Sequence, residues 1–477
     1  MTATADETTG AAGRGGRPHR SLWLREALGG ERPLPPLRGT ARADVAIVGG
    51  GFVGLWTAIR IRERDPGCEV VVLERDVCGG GASGRNGGMA LSWWPKLSSL
   101  TARCGAERAV ALARASEAAV EEIASFCERH AIDAHVRRAG MLWTATTPAH
   151  VGAWEGVLAA CERAGVEPFR RLSPAEVAER SGSPVHLAGV LEPSAATVQP
   201  ALLARGLRRV ALELGVRIHE GTAMRSFTRE RPVRVTVDGG SLTAERLVLA
   251  NGGWAAQEPE LARAMVVVSS DIVATEPIPE LLREIGWDGG ESVTDSQMMV
   301  NYYRTTRDGR IAFGKGTAGL SWRNRIGPGY DANPAHDALV ERELRRTYPA
   351  LGGVRVTHAW GGPIDRTPSS LPILGRLGGR EHLLYGVGWS GNGVGPSVLG
   401  GRVLASLALG LQDEWSEIGL VDLPHDRFPP EPARFLGGRL VRAAVVRKEA
   451  AELRGERPRR LDLRLAALAP AGLEDKA

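Results

Sequence analysis

The chain has 477 residues, 43% hydrophobic and 24% charged, which is ordinary globular usage and excludes a disordered, collagenous or membrane-embedded protein. Its net charge of +5 is mixed along the chain and visibly basic only at the ends, which gives nucleic-acid binding little support. The length favours two domains, and 61 glycines clustered between apolar stretches suit tight turns and close backbone approaches to a ligand.

Residues 1–20 are small, polar and glycine-rich, and are expected to form a disordered lead. A short helix around Trp23 and a proline-rich connector precede Asp44–Val48, an apolar run typical of a strand buried on both faces. A helix from about Val53 to Arg64 ends at Asp65-Pro66-Gly67, and a second strand, Val70–Leu73, completes a strand-helix-strand unit. Residues 105–130 carry apolar positions at helical spacing and predict a long amphipathic helix leaving this first unit. A helix over Pro200–Leu214 and strands at Val216–His219, Val233–Val237 and Leu247–Ala250 predict a return to it. Alternation from Tyr302 to Phe313 around Asp308-Gly309 predicts an antiparallel hairpin, hence a second, sheet-rich domain. Beyond Asp426 the chain turns proline-rich and then basic, with Leu436, Leu440, Val441 and Val445 predicting a helix that packs on its own protein.

Five cysteines, Cys68, Cys78, Cys104, Cys127 and Cys161, are odd in number and lack CxxC spacing, so neither a disulfide framework nor a metal site is expected. That usage fits a reducing cytoplasm, and no segment reaches the roughly 18 apolar residues of a membrane span or resembles an export signal.

Gly49-Gly50-Gly51-Phe52-Val53-Gly54 places GxGxxG directly after a strand and at the opening of a helix. Gly49 suits the tight turn, Gly51 lets backbone N–H groups reach a pyrophosphate, and Gly54 permits close helix packing. Glu74, just past the second strand, can accept hydrogen bonds from a ribose and would repel a 2′-phosphate, which points to FAD or NAD rather than NADP. A second glycine-rich loop, Gly79–Gly88, offers donors from Ser83, Arg85 and Asn86, a length of cradle that a flavin needs and a nicotinamide does not. Gly386–Val394 follows an apolar strand and precedes a helical run from Gly400 to Leu409, whose opening N–H groups could face the flavin ring. Asn251-Gly252-Gly253-Trp254 ends a further strand of the same sheet.

Together these segments resemble the D-amino acid oxidase family of FAD enzymes, which includes glycine, sarcosine and γ-glutamylputrescine oxidases. The similarity runs from about Ser21 to Arg447. SLWL at Ser21, ASGRNGG at Ala82, ATVQP at Ala196, YYR at Tyr302, FGKG at Phe313, SGNGV at Ser390 and RFPPEP at Arg427 resemble its aminophosphonate oxidoreductase clade. The resemblance implies an α/β fold with α+β elements: a Rossmann-like FAD domain from discontinuous segments, 21–104, 190–255 and 355–425, and a mixed-sheet substrate domain, 105–189 and 256–354. Residues 426–477 would be a basic extension.

It also implies non-covalent FAD held by Gly49, Gly51, Gly54, Glu74, Arg75, Ser83, Arg85, Asn86, Gly87 and Gly88, with Ala223 and Met224 near the adenine. Gly252, Trp254, Gly388, Ser390, Gly391, Asn392, Gly393 and Val394 complete the expected cofactor set. The implied reaction is oxidation of a small amine by hydride transfer to flavin N5, giving an imine that hydrolyses to an aldehyde and ammonia, with oxygen or another acceptor taking the electrons.

In glycine and sarcosine oxidases a tryptophan strand of the type WxGxRPxTPDxxP carries an arginine that clamps the substrate carboxylate. Here the segment reads from Trp360 to Pro372, and Ile364 stands at the arginine's place. An apolar residue cannot pair with a carboxylate, which favours an amine with a remote anion, or with none, over an α-amino acid. Arg304, Arg366 and Lys315 are candidates for such an anion, each arginine set against a plain surface role; Lys315 could instead promote oxygen reactivity near the flavin. Tyr302, Tyr303 and His358 could line the pocket, and His358 is either a base or a structural histidine. The competing readings are an NAD-linked dehydrogenase and a flavin-containing binding or RNA-modifying protein.

Overall fold

Val45, Ala46, Ile47 and Val48 are apolar on both faces of a strand, and such a run is stable only where both faces are covered. In the computed structural model, which describes residues 21–470 and 472, they end the strand Gly39–Val48 in the middle of an eight-stranded sheet. That strand runs parallel to Gly240–Leu249 on one side and to Val70–Leu73 on the other, with Arg217–His219 parallel beyond Val70–Leu73. Leu383–Val387 extends the sheet in parallel past Gly240–Leu249, and Ile373–Arg376 closes that edge antiparallel. Met224–Phe227 and Val233–Val237 form an antiparallel flap off Gly240–Leu249.

The helices Phe52–Arg64, Pro200–Glu213 and Ser397–Leu409 share one apolar core with this sheet. The helix Ala106–Arg129 joins the same core: its stripe of Leu112, Val120, Ile123 and Phe126 is buried, and Phe126 meets Trp56 edge to face at 4.6 Å. The expectation that this helix leaves the first unit is therefore corrected, because its apolar face is spent on the helices that cover the first sheet.

A second eight-stranded sheet runs in the order Val356–Arg366, Val266–Thr275, Ile311–Lys315, Asn301–Thr305, Ser292–Asp295, Met141–Ala145, Ala188–Glu192, Arg170–Leu172. Its pairs are antiparallel except Ser292–Asp295 with Met141–Ala145. The predicted hairpin is its centre, turning at Gly309 with φ +80°. The boundaries drawn at 190 and 355 shift, since Val356–Arg366 pairs along its length with Val266–Thr275 and Ala188–Glu192 pairs with Met141–Ala145.

After the proline-rich stretch come helices Ala433–Leu453 and Arg460–Ala466. Val445 and Ala466 pack on Met299, while Leu436 and Leu440 stay exposed. The expected disordered lead, 1–20, lies outside the described residues. All five cysteines are free, and among the described residues no helix is long and apolar enough to cross a membrane. Nor does any group of three His, Cys, Asp or Glu there suit a metal ion.

The turn out of the central strand depends on two glycines. Gly49 has φ +114°, and a Cβ on Gly54 would lie 2.0 Å from the Gly49 carbonyl oxygen. Gly54→Ala should cost about 1–3 kcal/mol or more through forced separation of helix and turn. Gly437→Ala, at an open helical position, should be neutral or stabilising. Thermal unfolding of the two variants beside the parent checks the contrast.

Candidate active site

The helix Phe52–Arg64 opens without a side-chain cap on its Gly51 N-cap, which leaves an N-terminal backbone surface suited to an anion. Only part of it is used internally: Phe52 N–H donates to Ser83 Oγ at 2.9 Å and Gly50 N–H to Glu74 Oε2 at 2.8 Å. The other Glu74 oxygen accepts from Asp76 N–H at 2.8 Å. Burial pushes the Glu74 carboxyl up to about 7, against the pull of these two N–H bonds. Nearby, the Arg75 guanidinium lies 4.9 Å over the Trp254 ring.

The second glycine loop is fastened from outside. Ser21 Oγ donates to the Gly84 carbonyl at 2.6 Å, Trp23 Nε1 to Asn86 at 2.9 Å and Trp360 Nε1 to Arg85 at 2.9 Å. Arg85 bonds the Gly80 carbonyl through Nε at 2.9 Å and forms an ion pair with Asp331. Asn86 closes the loop on itself, accepting from Gly88 N–H at 2.7 Å and donating to the Ala82 and Ser83 carbonyls at 3.0 Å. A Cβ on Gly87 would meet the Tyr302 ring at 3.0 Å, so backbone and aromatic face are in close register. Tyr302 donates to or accepts from Ser270 Oγ at 2.7 Å, and burial pushes its phenol above the ordinary range, so it stays protonated.

The third loop is organised by Asp365, a residue the motifs did not single out. Its Oδ2 accepts from Gly388 N–H at 2.6 Å and its carbonyl from Ser390 N–H at 3.2 Å. Burial pushes its carboxyl up to about 6, while N–H groups of Gly388, Trp389 and Ser390 oppose the shift. Asn392 Nδ2 donates to the Ser92 carbonyl at 3.0 Å. Ile364 faces this loop, 3.6 Å from where a Gly391 Cβ would stand, and Arg366 Nη2 is 3.4 Å from the Ser390 carbonyl. The opening N–H groups of Ser397–Leu409 are partly spent: those of Ser397 and Val398 reach the Gly393 and Gly395 carbonyls.

These three loops enclose one cavity of about 1190 Å³, beyond the roughly 300–1,000 Å³ of common small-ligand pockets. Its lining brings together Gly49, Gly51, Glu74, Arg75, Ser83, Arg85, Asn86, Gly87, Met224, Gly252, Trp254, Tyr302, Ile364, Arg366, Ser390, Gly391, Asn392, Gly393 and Val394. Gly54, Gly88 and Gly388 shape the backbone behind it rather than lining it.

Other predicted residues are elsewhere. Arg304 is not in the lining; it bonds the Val198 carbonyl, lies over the Trp23 ring at 5.7 Å, and is pushed down to about 10 by burial. Lys315 turns its Nζ to the Met299 carbonyl at 2.8 Å, Asn301 Oδ1 at 3.2 Å and Gln297 Oε1 at 3.3 Å, behind the cavity wall. His358 is half-buried beside Thr357 Oγ1 at 2.9 Å, and Tyr303 is stacked on Phe313 in the second core; neither lines the cavity. The hairpin brings Tyr302 to the cavity but turns Arg304 and Lys315 away, because both cations are held by backbone carbonyls on the far side.

The residues fit an extended flavin dinucleotide. The turn and glutamate suit its diphosphate and ribose, and three buried polar atoms of lining residues, Asn251 Oδ1, Trp254 Nε1 and Asn392 Oδ1, have no protein partner. Fold and cavity together define a flavin-dependent oxidoreductase. The chain belongs to the FAD dependent oxidoreductase (DAO) family, whose profile matches residues 44–407.

It is 31% identical over 444 residues to the probable oxidoreductase OrdL of Rhizobium meliloti, covering 88% of this chain and 94% of that one. It is 28% identical to the gamma-glutamylputrescine oxidoreductase of Escherichia coli, over 91% and 97% of the two chains. The fold is similar to that of glycine oxidase from Geobacillus kaustophilus, with a TM-score of 0.65 and 22% identity over 78% of this chain and 96% of that one. The chain is thus an FAD-dependent oxidoreductase.

The hydroxyls of a bound ribose would donate to ionised Glu74, so FAD binding would favour loss of its proton. Below a Glu74 pKa of about 7, FAD affinity should fall by up to about tenfold per pH unit. Glu74→Gln should bind more weakly near neutral pH and lose that slope; fluorescence titration of apoprotein with FAD on both sides of neutrality tests both points. Lys315→Met should cost about 2 kcal/mol by removing the stronger of the two cations, with Lys448, that favour the ionised form of buried Glu449, seen as a lower unfolding midpoint without substrate.

Proposed function

We propose that this enzyme oxidises a small primary or secondary amine whose anionic group is remote from the reacting carbon, a 2-aminoethylphosphonate-like compound. The observation that carries this reading is Ile364: at the cavity wall, where glycine and sarcosine oxidases place a carboxylate-binding arginine, this chain presents an apolar side chain. A carboxylate next to the reacting carbon would be desolvated there without a partner. The apolar wall of Ile364, Leu91 and Val394 instead suits a methylene chain and excludes water.

The protein's task is positioning. Tyr302, protonated and anchored on Ser270, offers a fixed polar edge, and the apolar wall of Ile364, Leu91 and Val394 favours the uncharged amine over the ammonium. When bound, FAD supplies hydride acceptance from the carbon that carries nitrogen. Water then adds to the imine, giving an aldehyde and ammonia, or an amine from a secondary substrate. With 2-aminoethylphosphonate the aldehyde is phosphonoacetaldehyde. The likeness to gamma-glutamylputrescine oxidoreductase supports a second reading, a longer amine whose anion lies at the far end of an amide-linked group.

Anaerobic bleaching of the flavin by 2-aminoethylphosphonate, γ-glutamylputrescine, putrescine, sarcosine and glycine tests the reading independently of the electron acceptor. The anionic long amines should reduce the flavin fastest; bleaching by glycine alone overturns the proposal.

A further inference from the structure

We propose that Ser270 fixes Tyr302 as a hydrogen-bond acceptor for an N–H of the substrate amine, leaving the nitrogen lone pair free to react; the inference rests on the amine reading. The Tyr302 ring has a built slot. It is paired with Gly314 of the neighbouring strand, where a Cβ would overlap ring carbons and lie 2.6 Å from the phenol oxygen, and a Cβ on Gly87 would touch the ring at 3.0 Å. Crossing Gly314, the ring reaches Ser270 on the strand Val266–Thr275. Ser270 is paired in turn with Gly362, and Ile364 stands two residues further along that strand, on the same face. All four residues line the cavity, so the phenol and the apolar wall belong to one face of the second sheet.

The direction of the bonds follows from counting protons. Ser270 Oγ lies 2.7 Å from the Tyr302 oxygen and 3.0 Å from the Lys315 carbonyl, which can only accept. Ser270 has one proton; given to Lys315, it leaves the Ser270 lone pairs for the proton of Tyr302. The reverse order leaves the phenol proton without an acceptor among the described residues. Tyr302 therefore donates inward and keeps its own lone pairs for the cavity. When hydride leaves the carbon, the nitrogen lone pair becomes the second bond of the iminium, so a donor placed on nitrogen opposes the step. An acceptor for its N–H does not. Rival acceptors are placed differently. Asp331 is committed to Arg85, and Asn392 Oδ1 belongs to the third loop. Thr294, paired with Tyr302 on the adjoining strand, gives its proton to Met141 Sδ at 3.2 Å and is the rival on the same sheet.

The test uses FAD-loaded, full-length Tyr302→Phe, Ser270→Ala, Ser270→Thr and Thr294→Val. Two ligands of one shape are compared: 2-aminoethylphosphonate, followed by anaerobic flavin reduction, and propylphosphonate, with methyl in place of the amino group, followed by perturbation of the flavin absorbance. Tyr302→Phe keeps the ring in its slot and should bind the amine about tenfold more weakly, with propylphosphonate unchanged. Ser270→Ala turns the phenol proton toward the nitrogen and should slow flavin reduction about tenfold at saturating amine, a loss that Ser270→Thr should restore. Thr294→Val should match the parent. Equal weakening of both ligands in Tyr302→Phe, or a parental reduction rate in Ser270→Ala, overturns the proposal. A loss of amine binding confined to Thr294→Val assigns the nitrogen to that hydroxyl and also overturns it. A parent whose flavin 2-aminoethylphosphonate does not reduce overturns the aminophosphonate reading, and the proposal falls with it.

Discussion

Two indole N–H groups hold the cofactor loop to the rest of the molecule. A backbone loop that presents its amides to a ligand cannot also spend them on itself, so its carbonyls must be anchored from elsewhere. Trp23 comes from the first helix, Trp360 from the edge of the second sheet, and they donate to neighbouring carbonyls of Asn86 and Arg85. Their rings meet edge to face at 5.7 Å, so each anchor also buries the other. Two remote parts of the chain thus converge on one short segment, and the cofactor site forms only as the tertiary structure does.

The buried acids follow the same logic. Glu74 and Asp365 are both forced toward the neutral form by burial, and both are held by backbone N–H donors at a loop entrance. Each replaces a solvent shell with fixed amides and so stiffens a segment that contacts the ligand. Their roles differ by position: Glu74 sits where the first strand-helix turn meets the second strand, whereas Asp365 couples the second sheet to the loop before the helix Ser397–Leu409.

The nucleotide half of the fold was legible because its signals are local. The apolar strand, glycine turn, helix and Glu74 occur within one short stretch, and turn geometry alone restricts which residues can stand there. The hairpin around Asp308-Gly309 was equally plain. What could not be read was direction in space. Arg304 and Lys315 sit on the hairpin that supplies Tyr302, yet the carbonyls of Val198 and Met299, distant or unremarked in sequence, decide where their charges go. The partner of Val356–Arg366 was hidden too, since nothing in an alternating strand announces which sheet it joins. Asp365 was visible only as one acid within the tryptophan strand, and its significance required the loop it holds.

The strand Val356–Arg366 has a consequence for how this enzyme could diversify. Trp360 anchors the loop, Ile364 forms cavity wall, and Asp365 organises the next loop, all within six residues of one continuously paired edge strand. Because Trp360 and Asp365 hold the two loops, the side chain at 364 is left at liberty to vary. A lineage could exchange one chemical preference for another there while its flavin grip went untouched.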